Sequence, residues 1–268
     1  MAIITISRGS YSMGKAVAEA VADRLGYALS SHELLLEAAS AFDVPEIKLQ
    51  SAIHDAPGIL SGRRRDKEFY LACIRSALTT RAAEDNLVYH GLAGHFLLKG
   101  IPHVCKVRIT ADMDARIATE ADREDISPEQ ARYRILADDK HRRDWTRALY
   151  DVDPWDSNLY DLVVRIDRLR VADAADFIVH TASRFPSTES SRRQVRDLAL
   201  ACRVKARLIP VTHDISVTCH DGNIVVYASK KVPGDRRMKA AVDELKTAQP
   251  DIRHLEIHWA TPAPDGAI

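Results

Sequence analysis

Gly9-Ser10-Tyr11-Ser12-Met13-Gly14-Lys15 sets two glycines and a lysine at the spacing of a phosphate-binding loop. Small residues let the backbone curl until its N–H groups face an anion. A helix starting directly behind adds its positive dipole end, and the lysine reaches the outer phosphates. Gly9, Ser10, Tyr11, Ser12, Met13, Gly14, Lys15 and Ala16 are therefore the candidate phosphate ligands, with Lys15 as the catalytic cation. The place after the lysine usually carries a Ser or Thr hydroxyl for magnesium. Here Ala16 and then Val17 stand there, so magnesium needs other ligands or water. Tyr11 and Met13 are bulky for such a loop. The alternative is a glycine-rich strand-to-helix turn that binds nothing, but packing alone explains poorly a lysine at this spacing.

A second constellation is basic. Arg132, Arg134, Lys140, Arg142, Arg143 and Arg147 crowd one segment, with Asp138, Asp139 and Asp144 between them. Phosphoryl transfer is mostly positioning and charge stabilisation, and the planar, permanently charged guanidinium suits both. Alone, the segment reads as a solvated helix face with i,i+4 ion pairs. Behind a phosphate loop it reads as a lid, with Arg142 and Arg143 as candidate catalytic groups. His90 ends a predicted strand, where ligands of parallel sheets bind. It is a candidate to contact a phosphate or orient a water, and a structural histidine is the alternative.

These residues need elements to hold them. Ile3-Ile4-Thr5-Ile6 is a β-branched run suited to a buried parallel strand. From Lys15 to Leu25 the apolar residues Val17, Ala18, Val21 and Leu25 fall at helical spacing, and Gly26 ends the run. Further helices are predicted over His32–Ala41, Asp66–Glu84, Met113–Ala121, Pro128–Ala148 and Val171–Ala182, and strands over Leu87–Tyr89, Val104–Ile109 and Leu162–Ile166. Asp43 to Arg65, with Pro45, Pro57, Gly58 and Gly62, reads as irregular. Strands alternating with helices predict an α/β fold, a three-layer αβα arrangement around a parallel sheet.

Ser183 to Ser191 is polar and reads as a linker. Beyond it the pattern is a helix (Arg192–Cys202), two strands flanking Asp221-Gly222, a helix (Asp235–Ala248), a strand (Leu255–Trp259) and a fraying tail. This predicts a second, smaller α+β C-terminal domain, with the division at 1–186 and 190–260.

Of the 268 residues, 46% are hydrophobic and 28% charged, and Lys+Arg and Asp+Glu both total 38. A balanced charge gives no general pull toward nucleic acid. Cys73, Cys105, Cys202 and Cys219 form no CxxC pair, which favours reduced thiols. No apolar stretch approaches the roughly 20 residues that span a bilayer. The expectation is a cytoplasmic protein with no stable membrane insertion and no nucleic-acid partner.

Ile4-Thr5-Ile6-Ser7-Arg8 before the loop, Asp139-Lys140 with Arg142, and Asn158-Leu159-Tyr160-Asp161-Leu162-Val163 resemble the cytidylate-kinase-like family of P-loop proteins. The resemblance covers about the first two-thirds of the chain. It implies a nucleoside-monophosphate-kinase fold with a five-stranded parallel sheet and a mobile lid. It also implies ATP and Mg2+ as cofactors and nucleotide substrates, with transfer to CMP or dCMP. Asp139, Lys140, Arg142 and Arg143 would form the lid. His32, with Ser31, falls where the family often has Asp-Arg. The chain departs from the family pattern after Tyr89. Gly91-Leu92-Ala93 replaces Gly-Arg-Gly, and His90 replaces an Asp, so the arginine that engages the acceptor phosphate is missing. Arg64, with Arg63 and Arg65, is a candidate substitute from the preceding loop. The C-terminal segment resembles the BON family of small α/β modules, which implies a binding role. The alternative for it is packing or a possible homodimer contact.

Two functions follow. One is ATP-dependent phosphoryl transfer to a nucleoside monophosphate. The other is a nucleotide-responsive binding module, weakly catalytic or not at all, that acts through the C-terminal domain.

Overall fold

The computed structural model describes residues 2–9, 12–54, 63–212, 214–228, 236–259, 263 and 267–268, with the side chains of 54 and 63–65 outside that description. In chain order the elements begin with β1 (Ile3–Arg8), α1 (Gly14–Leu25), β2 (Ala28–Ser30), α2 (Glu33–Phe42), α3 (Glu46–His54) and α4 (Arg63–Ala82). Next come β3 (Leu87–His90), α5 (Gly94–Leu97), β4 (Val104–Thr110), α6 (Met113–Glu124), α7 (Pro128–Tyr150) and β5 (Leu162–Arg165). The chain continues through α8 (Val171–Ala182), α9 (Glu189–Leu208), β6 (Ile215–His220), β7 (Asn223–Ala228), α10 (Arg236–Ala248) and β8 (His254–His258). They fall into two compact units: Met1–Glu33 with Ile53–Pro57 and Glu84–Thr188, and Leu34–Ala52 with Gly58–Ala83 and Glu189–Ile268.

The first unit is a parallel sheet of order β2-β3-β1-β4-β5, flanked by helices. Ile3 through Ser7 of the central strand are buried, which is why that run is continuous rather than alternating. Its side chains still divide by parity. Ile4 and Ile6 pack with Val17, Ala18 and Val21 of α1 and Ala174 and Ile178 of α8. Thr5 and Ser7 face the other way, toward α5, where a Cβ on Gly94 would meet Thr5 Cγ2 at 3.2 Å and His95 bonds Ser7. Gly26, at φ 63, closes α1. Ser127 and Gln130 form a capping box on α7, with Pro128 in its first turn.

The second unit holds a three-stranded sheet of order β6-β7-β8. β6 and β7 form an antiparallel hairpin through Asp221 (φ 48) and Gly222 (φ 75), and β8 returns parallel to β7 after α10. Leu200, Val204 and Leu208 of α9 pack on Val217, Ile224 and Val226, with Met238, Val242 and Leu255 completing the core.

The structure departs from expectation in four places. α3 lies inside the stretch read as irregular. Asp43, at φ 52, ends α2, and Pro45 accepts from Lys48 N as a helix opens behind it. A proline at a helix start needs no N–H and presets φ, so Pro45 initiates where it was expected to break. Leu49 and Ala52 then bury the face that stabilises α3. β2 escaped notice because two of its three residues are exposed. α9 begins at Glu189, inside the predicted linker, with Arg192 and Arg196 paired to Glu189. Ile268, expected to fray, exchanges two backbone hydrogen bonds of 3.0 Å with Val217. Among the described residues no helix is long and apolar enough to cross a membrane.

Candidate functional site

The phosphate loop is built by its backbone. Gly9 N donates to Ile109 O at 3.0 Å, tying the loop to β4. Ser12 is fully buried, and its hydroxyl donates to Gly9 O at 2.8 Å and Ile109 O at 3.3 Å. That hydroxyl is therefore spent on closing the loop. Met13 takes the left-handed conformation at φ 54 and its side chain makes no capping bond to α1. Among the described residues the N-cap side chain therefore leaves the first-turn amides unanswered, which is what binding an anion there requires. Gly14 follows, buried, where a Cβ would come within 2.7 Å of Arg8 Cδ. Lys15 is 76% exposed, with Glu19 one turn on at 3.7 Å as its ion-pair partner. Ala16 is half-buried and Val17 fully buried. Ser10 and Tyr11 lie outside the described residues.

This arrangement suits the phosphates of a nucleotide. Ala16 and Val17 bring no hydroxyl after Lys15 for magnesium, and the described residues contain no group of three or more His, Cys, Asp or Glu able to hold a metal.

Beside the loop, a cleft of about 430 Å³ opens to solvent. Because β1 lies between β3 and β4, the ends of all three strands contribute to it: Ser7, Arg8 and Gly9, then Gly91 to Ala93 with His95 and Phe96, then Arg108. α7 adds Asp139, Arg142 and Thr146, and the segment after it adds Pro154, Trp155 and Tyr160. The turn after β3 is tight because the buried Tyr89 ring lies under it. A Cβ on Gly91 would meet Tyr89 Oη at 2.4 Å, and one on Gly94 would meet the ring at 2.5 Å.

Among the described residues three arginines line this cleft, Arg8, Arg108 and Arg142, against one carboxylate. That carboxylate, Asp139, accepts from Arg116 Nη2 at 2.7 Å, both side chains being buried. Arg142 stands 3.6 Å from Asp138, and its buried Nε has no hydrogen-bond partner among the described residues. His90 is held down to about 4, first by burial and then by Arg8, Arg142 and Lys15, and its buried Nε2 has no partner among the described residues. His95 is also held down to about 4, by burial and then by Lys106 and Arg108. Both imidazoles are neutral near pH 7. His95 Nδ1 lies 3.2 Å from Ser7 Oγ, and its Nε2 has no partner among the described residues.

Among the residues the sequence singled out, Gly9, Asp139 and Arg142 reach the cleft wall. His90 stands within the field of Arg8, Arg142 and Lys15. Arg143 sits behind the wall, bonded to Asp153 and 4.7 Å over the Trp155 ring, which it steadies. Lys140 is exposed and paired with Asp144. His32 is exposed ahead of α2, and Arg64 falls in the first turn of α4. Sequence reasoning passed over Arg108, His95, Ser7, Trp155 and Tyr160. Ser7 and Tyr160 stood inside the motifs that carry the family resemblance, and Arg108 showed a charge between the buried Val107 and Ile109 at the C-terminal end of a parallel strand.

A strand, phosphate loop and helix at the C-terminal edge of a five-stranded parallel sheet define a P-loop α/β protein. Residues 3–168 match the cytidylate kinase-like family, and the chain belongs to it. Over 102 residues it is 26% identical to the cytidylate kinase of Sulfolobus acidocaldarius, a match covering 38% of this chain. The chain spans only 56% of the length of that curated relative. The crystal structure of an uncharacterized protein from Eubacterium ventriosum is similar in fold, with a TM-score of 0.53 and 22% identity, covering 68% of this chain and 99% of that one.

Proposed function

We propose that the chain transfers the γ-phosphoryl group of ATP to a nucleoside monophosphate of the CMP or dCMP kind. The observation that carries this reading is the uncapped first turn of α1, with Lys15 reaching out of it, beside a cleft with three arginines. The loop amides hold the donor phosphates, and Lys15 meets charge on the outer ones. Arg8 adjoins Gly9 of the loop and lines the cleft together with Arg142. They face the charge that spreads over the transferring group. An acceptor phosphate is already ionised at neutral pH, so the neutral His90 and His95 are not required as bases. Magnesium neutralises phosphate charge when it accompanies ATP. Arg143 and Lys140 complete the lid of the reading, Arg143 by steadying Trp155. His32 and Arg64 remain proposed substrate contacts. The kinase-like part is assigned to 1–186, and a BON-like binding role to 190–260, which the order α9-β6-β7-α10-β8 supports.

The test is Lys15→Ala. The side chain is 76% exposed and its ion pair among the described residues is an i,i+4 surface pair, so the fold should survive. ADP and CDP formation from ATP and CMP should disappear while the melting temperature stays. Unchanged CMP turnover in this variant overturns the reading.

A further inference from the structure

Tyr160 organises two residues that the phosphate loop does not use. Its hydroxyl donates to Pro154 O at 2.9 Å, which fixes the ring. The Arg108 guanidinium lies 5.6 Å from the ring centroid, and the His95 ring centroid is 4.9 Å away. All three side chains line the cleft.

Arg108 is under-used where it stands. Its Nη1 donates to Pro154 O at 2.7 Å and, weakly, to Tyr160 Oη at 3.4 Å. A guanidinium has five N–H donors in a rigid fork that matches an oxyanion. Among the described residues no carboxylate pairs with Arg108, and Nε and Nη2 make no bond. A half-buried cation without a counter-charge is unfavourable unless an anion arrives. His95 is 7% exposed, and its buried Nε2 has no partner among the described residues. Leu92, also on the cleft wall, brings no side-chain donor.

We propose that Arg108 and His95, both braced by Tyr160, bind an oxyanion group of the acceptor, a phosphate or a carboxylate. Arg108 offers its free fork edge. His95 donates from Nε2, as the tautomer in which Ser7 Oγ donates to Nδ1. The proposal rests on the phosphoryl-transfer reading for the word acceptor, but the anion site stands or falls by itself.

Trp155 lines the same cleft and reports on it. The full chain is titrated with inorganic phosphate and, separately, with malonate, following Trp155 fluorescence, with Trp155→Phe as the blank. Binding that weakens about tenfold or more in Arg108→Gln supports the site, since a charged hydrogen-bonded contact is lost. Arg108→Lys, which keeps the charge and loses the fork, should fall between. His95→Gln, which keeps a donor, should weaken binding less than His95→Phe. Preference for phosphate or for malonate identifies the anion. Melting curves confirm that each variant is folded. Should Arg108→Gln not fold, the Lys variant and the two His95 variants decide. Anion binding that is absent in the unaltered chain, unchanged in the Arg108 variants, or retained in the Trp155→Phe signal overturns the assignment. If anion binding depends on Arg108 but no ATP is bound or turned over, the phosphoryl-transfer reading fails and the site remains. If CMP is phosphorylated with an unchanged KM in Arg108→Gln, the site falls and that reading remains.

Discussion

Asp139 on α7 accepts a 2.7 Å hydrogen bond from Arg116 on α6, and the two side chains are only 7% and 10% exposed. The pair fixes α7 against α6, and α7 carries Arg142 three residues on. It also engages the carboxylate that, among the described residues, shares the cleft with Arg8, Arg108 and Arg142. Removing one partner of a buried pair leaves the other charge uncompensated, at a cost of about 3–5 kcal/mol. Asp139→Asn should therefore lower the denaturation midpoint strongly. Replacing both partners with apolar residues of similar size should restore much of the loss. A single-variant loss no larger than that of a surface pair would contradict this role.

Gly14→Ala sets two effects against each other. Alanine favours a helix over glycine by up to about 1 kcal/mol. Against that, the new Cβ would sit 2.9 Å from Arg8 Cβ and 2.7 Å from Arg8 Cδ. The first of these is the base of a side chain on a central strand and cannot swing away. Overpacking of this kind costs about 1–3 kcal/mol, so the clash wins. The variant should be less stable in urea and should bind ATP more weakly, because Arg8 and the loop shift together. A more stable variant would show that Arg8 is not held there.

His95 predicts a pH dependence. Its folded form takes up a proton only near pH 4, against an ordinary value of 6.5 for the unfolded chain. Between those values the unfolded chain binds more protons, so stability falls as pH falls. The contribution is complete above 6.5 and lost on approaching 4, and amounts to about 3 kcal/mol across the window. His90 acts with the same sign. His95→Gln should flatten the decline in melting temperature on going from pH 6.5 toward 4.5. Parallel curves for the two proteins would rule out a neutral buried His95.

In the second unit, Asp197 on α9 grips the hairpin turn. Its carboxylate accepts from Asp221 N at 2.9 Å, Gly222 N at 3.2 Å and Cys219 Sγ at 3.3 Å. Both turn residues have positive φ, as a type I′ hairpin turn requires. Asp197→Ala leaves those amides unanswered and should cost about 1–3 kcal/mol. Hydrogen exchange at Asp221 and Gly222 should quicken more than at Val226. Equal rates in both proteins would assign the turn to its own residues alone.

What could be read from the chain follows the range of the interactions. The strand, glycine turn and helix from Ile3 to Leu25 were legible because they are neighbours in sequence, and the Asp221-Gly222 turn for the same reason. α3 was not, because Pro45 reads alike as a breaker and as a first-turn residue. Only the burial of Leu49 and Ala52 decides between them.

The residues from Ile3 to Leu25 determined by themselves the order of strand, glycine turn and helix. Side-chain periodicity and backbone freedom are local properties, whereas the turn is also tied to β4 through Gly9 N and Ser12 Oγ on Ile109 O. Tertiary structure decided what faces that turn. Placing β1 between β3 and β4 brought His95, Arg108 and Tyr160 around one cleft. The same packing set Arg142 on its wall while Lys140, two residues away, turned to solvent and Asp144. Spacing along α7 does not choose between those two cations. The buried bond from Asp139 to Arg116 fixes which side of the helix meets the cleft.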